Sequence, residues 1–229
     1  MSHELRELVS LASRVLGAAD QGDLIWGHAS ARDPAGRGVW IKQSGLGMDE
    51  VGPDQVHLVN PDGAIVAGDG PRHVEYPIHT EIMAARPEVG GVVHTHSPYA
   101  VALAAAAVPL RPVSHAACLL VPPDVPRFTQ TADLIMTRPL GQAVARTLGT
   151  GTAVFLVNHG IVTVGPDLPT ATVTAIILER AAQQQLLTSA YGGQPRWSDD
   201  AEALVKREHI FHDASIRQVW NYLVRRLPG

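Results

Sequence analysis

Apolar residues recur at helical spacing over Leu5, Leu8, Val9, Ala12, Val15, Leu16 and Ala19. This pattern predicts an amphipathic helix, with Ser2 placed to cap it and Gly22 to end it. The period then shortens toward two. Residues 24–26 read as the start of a strand, and Gly27 allows a backbone turn. If the strand continues, His28 and Ser30 share a face. Residues 39–41 read as its return strand across Asp33-Pro34-Ala35-Gly36. Residues 56–59 and 64–67 alternate around Asn60-Pro61-Asp62-Gly63, a hairpin signal.

In the second half, Pro77 suits the first turn of a helix whose apolar face is Ile78, Ile82 and Ala85, and Pro87 stops it. Glu75 stands just before that helix and His79 lies one turn in. Gly90-Gly91 introduces a strand that Pro98 ends. Residues 100–107 read as a helix and 113–121 as a strand containing His115. A helix within 131–148 starts near Pro139. Strands at 153–157 and 161–164 flank Asn158-His159-Gly160. A long helix at 170–190 closes on Gly192-Gly193, and a last helix spans 198–226, its Arg-rich end complementing the helix dipole. Strands mixed with helices in this order predict a layered α/β domain over 1–229, with a mixed or antiparallel sheet under helices.

Composition narrows the function classes. The chain has 229 residues, 45% hydrophobic and 17% charged, enough for a full core without disulfides. A net charge of −4 without a basic stripe argues against nucleic acid as a partner. The single Cys118 fits a reducing cytoplasm. The opening MSHELRELVS lacks the basic and apolar regions of a signal peptide. The small-apolar run at 100–110 is too short to span a bilayer. The expectation is a cytoplasmic protein with a small-molecule substrate and no membrane partner.

The candidate chemistry begins at His94 and His96. In a strand the two imidazoles point to one side and Thr95 to the other, so they can chelate a metal from a stiff element. An isolated H-x-H also occurs as two hydrogen-bonded histidines without a metal, so a third ligand and an acid/base elsewhere must decide. Gln43-Ser44-Gly45-Leu46-Gly47 could offer backbone N–H groups to an anion or be a surface turn; it lacks the ending of a P-loop.

Taken together, Glu75-Tyr76-Pro77-Ile78-His79, His94-Thr95-His96 nineteen residues after Glu75, and Asn158-His159-Gly160 resemble the class II aldolase/adducin family. Gly27-His28-Ala29-Ser30 resembles its early glycine turn. The resemblance covers nearly the whole chain. It implies a three-layer α/β/α sandwich with a mixed, mostly antiparallel sheet. It also implies a divalent metal on His94, His96 and His159, with Glu75 as the acid/base beside it. Zinc is the expected ion, with manganese or iron as alternatives. Homotetramers with sites between subunits are common in the family. Its members break a carbon–carbon bond and leave the electrons in an enolate.

Departures from the sugar-phosphate aldolases point to a branch. Two serines precede the Glu there; here they are His73 and Val74. The early G-N-x-S turn is Gly27-His28-Ala29-Ser30, and a tyrosine proton donor falls about where His115 stands. Arg72, His73, His28 and His115 suit a carboxylate or phenol oxygen at least as well as a phosphate, although Ser44 and Gly45 could still hold a phosphate. The wording of GHASARDP, KQSG and HTHSPYA most resembles members that decarboxylate hydroxylated aromatic dicarboxylates such as dihydroxyphthalates. The expected activity is therefore a metal-dependent decarboxylase, with Glu75 or His115 as proton donor and His28, Ser30, Ser44, Gly45, Arg72 and His73 at the substrate. An aldolase or epimerase is the alternative. A non-catalytic adducin-like module ranks last, because all three histidines and Glu75 are present.

Overall fold

The computed structural model describes residues 2–228. Its strands are β1 His28–Arg32, β2 Val39–Lys42, β3 Val56–Val59, β4 Ile65–Ala67, β5 Gly91–Thr95, β6 Arg127–Phe128, β7 Ala153–Leu156 and β8 Gly160–Gly165. The helices are α1 Ser2–Ala18, α2 Tyr76–Ala85, α3 Pro98–Ala105, α4 His115–Cys118, α5 Arg138–Leu148, α6 Leu168–Ala190, α7 Asp200–Ile210 and α8 Asp213–Arg225. The strands form one sheet in the order β4-β3-β2-β1-β5-β8-β7-β6. All neighbours run antiparallel except β6 with β7.

Strand alternation divides the core into two layers. Ile41, Val92, Val154, Leu156, Val162 and Val164 face Ile78 and Ile82 of α2 and Val144 and Leu148 of α5. Ala29, Trp40, Leu58, Val93, Phe155 and Ile161 belong to the opposite core, with Val9 and Leu16 of α1 and Val173 and Leu178 of α6. Each such aliphatic side chain contributes about 1.5–3 kcal/mol on burial. The result is an α/β/α sandwich. The layer of α2 and α5 is tight: a Cβ on Gly141 would meet the Pro77 carbonyl oxygen at 2.5 Å. A larger residue there forces the two helices apart.

Several elements differ from the sequence reading. Residues 24–26 form a turn, because Asp23 and Leu24 adopt positive φ of 40° and 59°. Leu24, Ile25 and Trp26 are consequently exposed. Residues 113–121 are not a strand. Ala116, Ala117 and Cys118 lack β-branching, and the segment makes the short helix α4 between Pro112 and Pro122. The expected helix at 198–226 breaks after Ile210, and the His212 side chain accepts from the Ser215 N–H at 3.3 Å to start α8. Ser2 lies inside α1. The two-residue β6 was too short to show an alternation. No helix among the described residues is long and apolar enough to cross a membrane.

Candidate metal centre

The register of the central strands builds the site. His28 of β1 pairs with His94 of β5, and His94 pairs with Val162 of β8. Paired residues present their side chains to one face, here the face covered by α2. His96 follows β5 on the same side, and its Nε2 lies 3.1 Å from His94 Nε2. The β7–β8 connection is three residues long, and Asn158 takes φ +59°, a left-handed conformation that Asn tolerates. That turn brings His159 to within 5.0 Å of the His94 ring and 5.2 Å of the His96 ring, centroid to centroid. Gly160 is needed here: a Cβ would stand 2.6 Å from the Thr95 oxygen and 2.7 Å from His96 Cδ2.

The hydrogen bonds decide which nitrogens are free. His94 Nδ1–H donates to the Ile161 carbonyl at 2.9 Å, and His96 Nδ1–H to Asp23 Oδ2 at 3.0 Å. Both Nε2 lone pairs are thereby left to converge on one point. Both ring nitrogens of His159 are buried without a hydrogen-bond partner among the described residues. Burial pushes the His94 imidazole far below its ordinary range and lowers His96 as well, against the opposing pull of Asp23. Neutral imidazoles with converging lone pairs repel one another unless a cation lies between them. Ligand atoms of Glu75, His94, His96 and His159 lie within 4.8 Å of one another. This donor set fits a divalent ion, with three imidazoles leaving coordination positions for substrate.

Glu75 occupies the N-cap position of α2, yet its side chain caps nothing. Oε1 instead accepts from the Ile135 backbone N–H at 2.8 Å and faces His159 Nε2 at 3.5 Å. Oε2 faces His94 Nε2 at 3.7 Å and His28 Nε2 at 3.8 Å. Burial pushes this carboxyl up, but the imidazoles of His159, His28 and His94 outweigh it and hold it well below the ordinary carboxylate range.

The other expected site residues lie in different surroundings. His28 and Ser30 are fully buried behind Glu75, where His28 also contacts the His73 ring at 4.2 Å. His73 is buried, with Nε2 unpartnered among the described residues. Arg72 lies over the Tyr76 ring at 4.5 Å and donates to the Gly63 carbonyl. The Ser44 N–H is engaged by the Pro71 carbonyl at 2.9 Å, and Gly45 is exposed. His115 is exposed at the start of α4, in a cleft with Trp197, Glu202 and Lys206. Sequence reading missed Asp23, which stands just before residues 24–26, the segment read as the start of a strand. It noticed His79 without a role. The Ile135 N–H left no signal in the sequence.

The sequence profile of the family described as Class II Aldolase and Adducin N-terminal domain matches residues 7–186. The chain belongs to this family. It is 30% identical over 239 residues to 3,4-dihydroxyphthalate decarboxylase of Arthrobacter keyseri, covering 98% of this chain and 94% of that protein. It is 31% identical over 160 residues to 5-methylthioribulose-1-phosphate/5-deoxyribulose-1-phosphate aldolase of Rhodospirillum rubrum, covering 69% of each. Two other curated relatives are longer, and the chain spans only 50% and 57% of their length. Among solved structures, L-fuculose 1-phosphate aldolase of Glaciozyma antarctica superposes with a TM-score of 0.86 at 26% identity, over 98% of this chain and 88% of that one. This class II aldolase domain carries a histidine–glutamate cluster able to hold a divalent metal.

Proposed function

We propose that this class II aldolase-family chain is a metal-dependent carbon–carbon lyase of aldol type, acting on a small hydroxy-carbonyl compound such as a sugar phosphate or hydroxy-keto acid. One observation carries the reading: the buried Glu75 carboxyl stands beside the histidine cluster, Oε1 at 3.5 Å from His159 Nε2 and Oε2 at 3.7 Å from His94 Nε2. Aldol cleavage starts by removing a hydroxyl proton, and an ionised carboxylate is the group for that step. His94, His96 and His159 would hold a divalent ion, which when bound would supply a Lewis acid for a substrate oxygen. Glu75 Oε2 takes the hydroxyl proton, the adjacent carbon–carbon bond breaks, and the same oxygen returns a proton to the carbon. Ile135 keeps Oε1 occupied during the exchange. His115 faces a different cleft in its own chain, so a proton-donor role for it belongs to an assembly, in keeping with the expected homotetramer.

Decarboxylation of a hydroxylated aromatic dicarboxylate is the second reading. It is favoured by Val74, which offers no side-chain donor to a phosphate, and by the Ser44 N–H being already engaged. Arg72 and His73 are then the groups for a substrate carboxylate. The test loads the purified protein with zinc or manganese. It compares aldehyde release from sugar 1-phosphates and hydroxy-keto acids with carbon dioxide release from dihydroxyphthalates. Aldehyde release is the expected result; carbon dioxide release alone replaces the first reading with the second.

A further inference from the structure

A continuous line of buried polar side chains runs from the sheet to Glu75. Ser30 Oγ lies 2.6 Å from His79 Nδ1, and His79 Nε2 lies 2.6 Å from His28 Nδ1. His28 Nε2 then faces Glu75 Oε2 at 3.8 Å. Ser30, His28 and His79 are each 0% exposed, and His28 Nε2 has no other partner among the described residues. The line joins two elements: β1 carries Ser30 and His28, α2 carries His79, and Glu75 is the N-cap of α2.

Between two neutral imidazoles one nitrogen donates and the other accepts, so the line has only two senses. In one, Ser30 Oγ–H donates to His79 Nδ1, His79 Nε2–H donates to His28 Nδ1, and His28 Nε2–H points at the carboxylate. In the other, every donor reverses and His28 Nε2 turns a lone pair on Glu75 Oε2. A lone pair against a carboxylate oxygen in a dry interior is repulsive. The first sense therefore prevails.

We propose that Ser30, His79 and His28 form a positioning relay that fixes the His28 tautomer and aims its Nε2–H at Glu75 Oε2. The two carboxylate oxygens then meet different groups: Oε1 accepts from the Ile135 N–H at 2.8 Å, and Oε2 faces the His28 Nε2–H dipole at 3.8 Å. The relay stops the carboxylate from rotating away from the three histidines. His28 acts through Glu75 and touches no substrate, since its side chain is wholly enclosed. This rests on Glu75 being the group that exchanges the proton in the proposed function.

The first measurement needs no substrate. Long-range ¹⁵N–¹H spectra of the zinc-loaded protein report which nitrogen of each imidazole carries the proton. His28 and His79 are both expected as Nε2–H tautomers; an Nδ1–H tautomer at His28 overturns the relay, whatever reaction the enzyme catalyses. The second measurement is kinetic, on the substrate that the lyase assays identify. His28→Leu is expected to lower kcat by roughly 10–100-fold, the scale on which outer-shell partners act, with KM unchanged. His28→Gln restores most of kcat, because its amide can accept from His79 and donate to Glu75. In a Glu75→Gln background, His28→Leu is expected to cost nothing more. A raised KM in that background makes His28 a substrate contact and overturns the relay, as does equal damage from Leu and Gln. If His28→Leu does not fold, Ser30→Ala is measured in its place, with a smaller loss expected in kcat alone.

Discussion

Asp23 Oδ2 accepts a hydrogen bond from His96 Nδ1 at 3.0 Å, across a backbone that turns through positive φ to deliver it. A carboxylate behind a metal-ligating imidazole fixes its tautomer and raises its basicity. Asp23→Ala is therefore expected to weaken zinc binding by roughly 10–100-fold while the fold persists, since Asp23 is exposed. Competition with a chromophoric chelator measures this. Unchanged zinc affinity removes Asp23 from the metal centre.

His159 tests the third ligand. It is carried by the short β7–β8 turn; its Nε2 faces Glu75 Oε1 at 3.5 Å, and neither ring nitrogen makes a hydrogen bond among the described residues. His159→Ala therefore breaks no hydrogen bond there, and its main expected effect is loss of bound metal and of turnover. Metal analysis by plasma emission, on protein whose melting temperature without metal matches wild type, checks this. Full occupancy in His159→Ala would falsify the three-histidine site.

Much of this centre was legible because strands have a period of two. His94 and His96 had to share a face, and the Asn-His-Gly turn marked a strand reversal. Residues 113–121 misled because a run of small apolar residues between prolines does not distinguish a short helix from a strand. Asp23 was invisible because its use depends on two residues in left-handed conformations, neither of them glycine. The partnership of His28 with His79 joins residues 51 apart in sequence. It depends on how α2 crosses β1, which no local pattern encodes.

A pH effect on stability is expected at Asp33, away from the metal. The Arg37 side chain donates to both of its carboxylate oxygens, at 2.9 and 2.8 Å, and Trp40 Nε1–H to one at 3.0 Å. Arg37 first, then Trp40 against the opposing cost of burial, holds the Asp33 carboxyl down at about 2. A carboxyl depressed in the folded state stabilises it above the unfolded pKa of about 3.9, and that stability is lost as pH falls through the folded value. Asp33→Asn is expected to melt a few degrees lower than wild type at pH 7. The gap should hold down to about pH 4 and close toward about pH 2. A gap that stays constant across that acid range assigns the effect to packing and not to charge.

Glu75 decides the mechanism. As the acid/base, its replacement by Gln is expected to lower turnover by roughly 10²–10⁴-fold. Gln keeps an acceptor for the Ile135 N–H and a donor or acceptor toward His28, so the buried geometry survives. Glu75 does not cap α2, so the helix loses no cap hydrogen bond, and any loss of dipole stabilisation should be about 1 kcal/mol or less. Melting temperature and metal content should therefore stay near wild type while turnover falls. Measuring all three on one preparation separates the roles. A stable, metal-replete Gln variant with wild-type turnover leaves Glu75 as a buried structural carboxylate and makes His115 the next candidate proton donor.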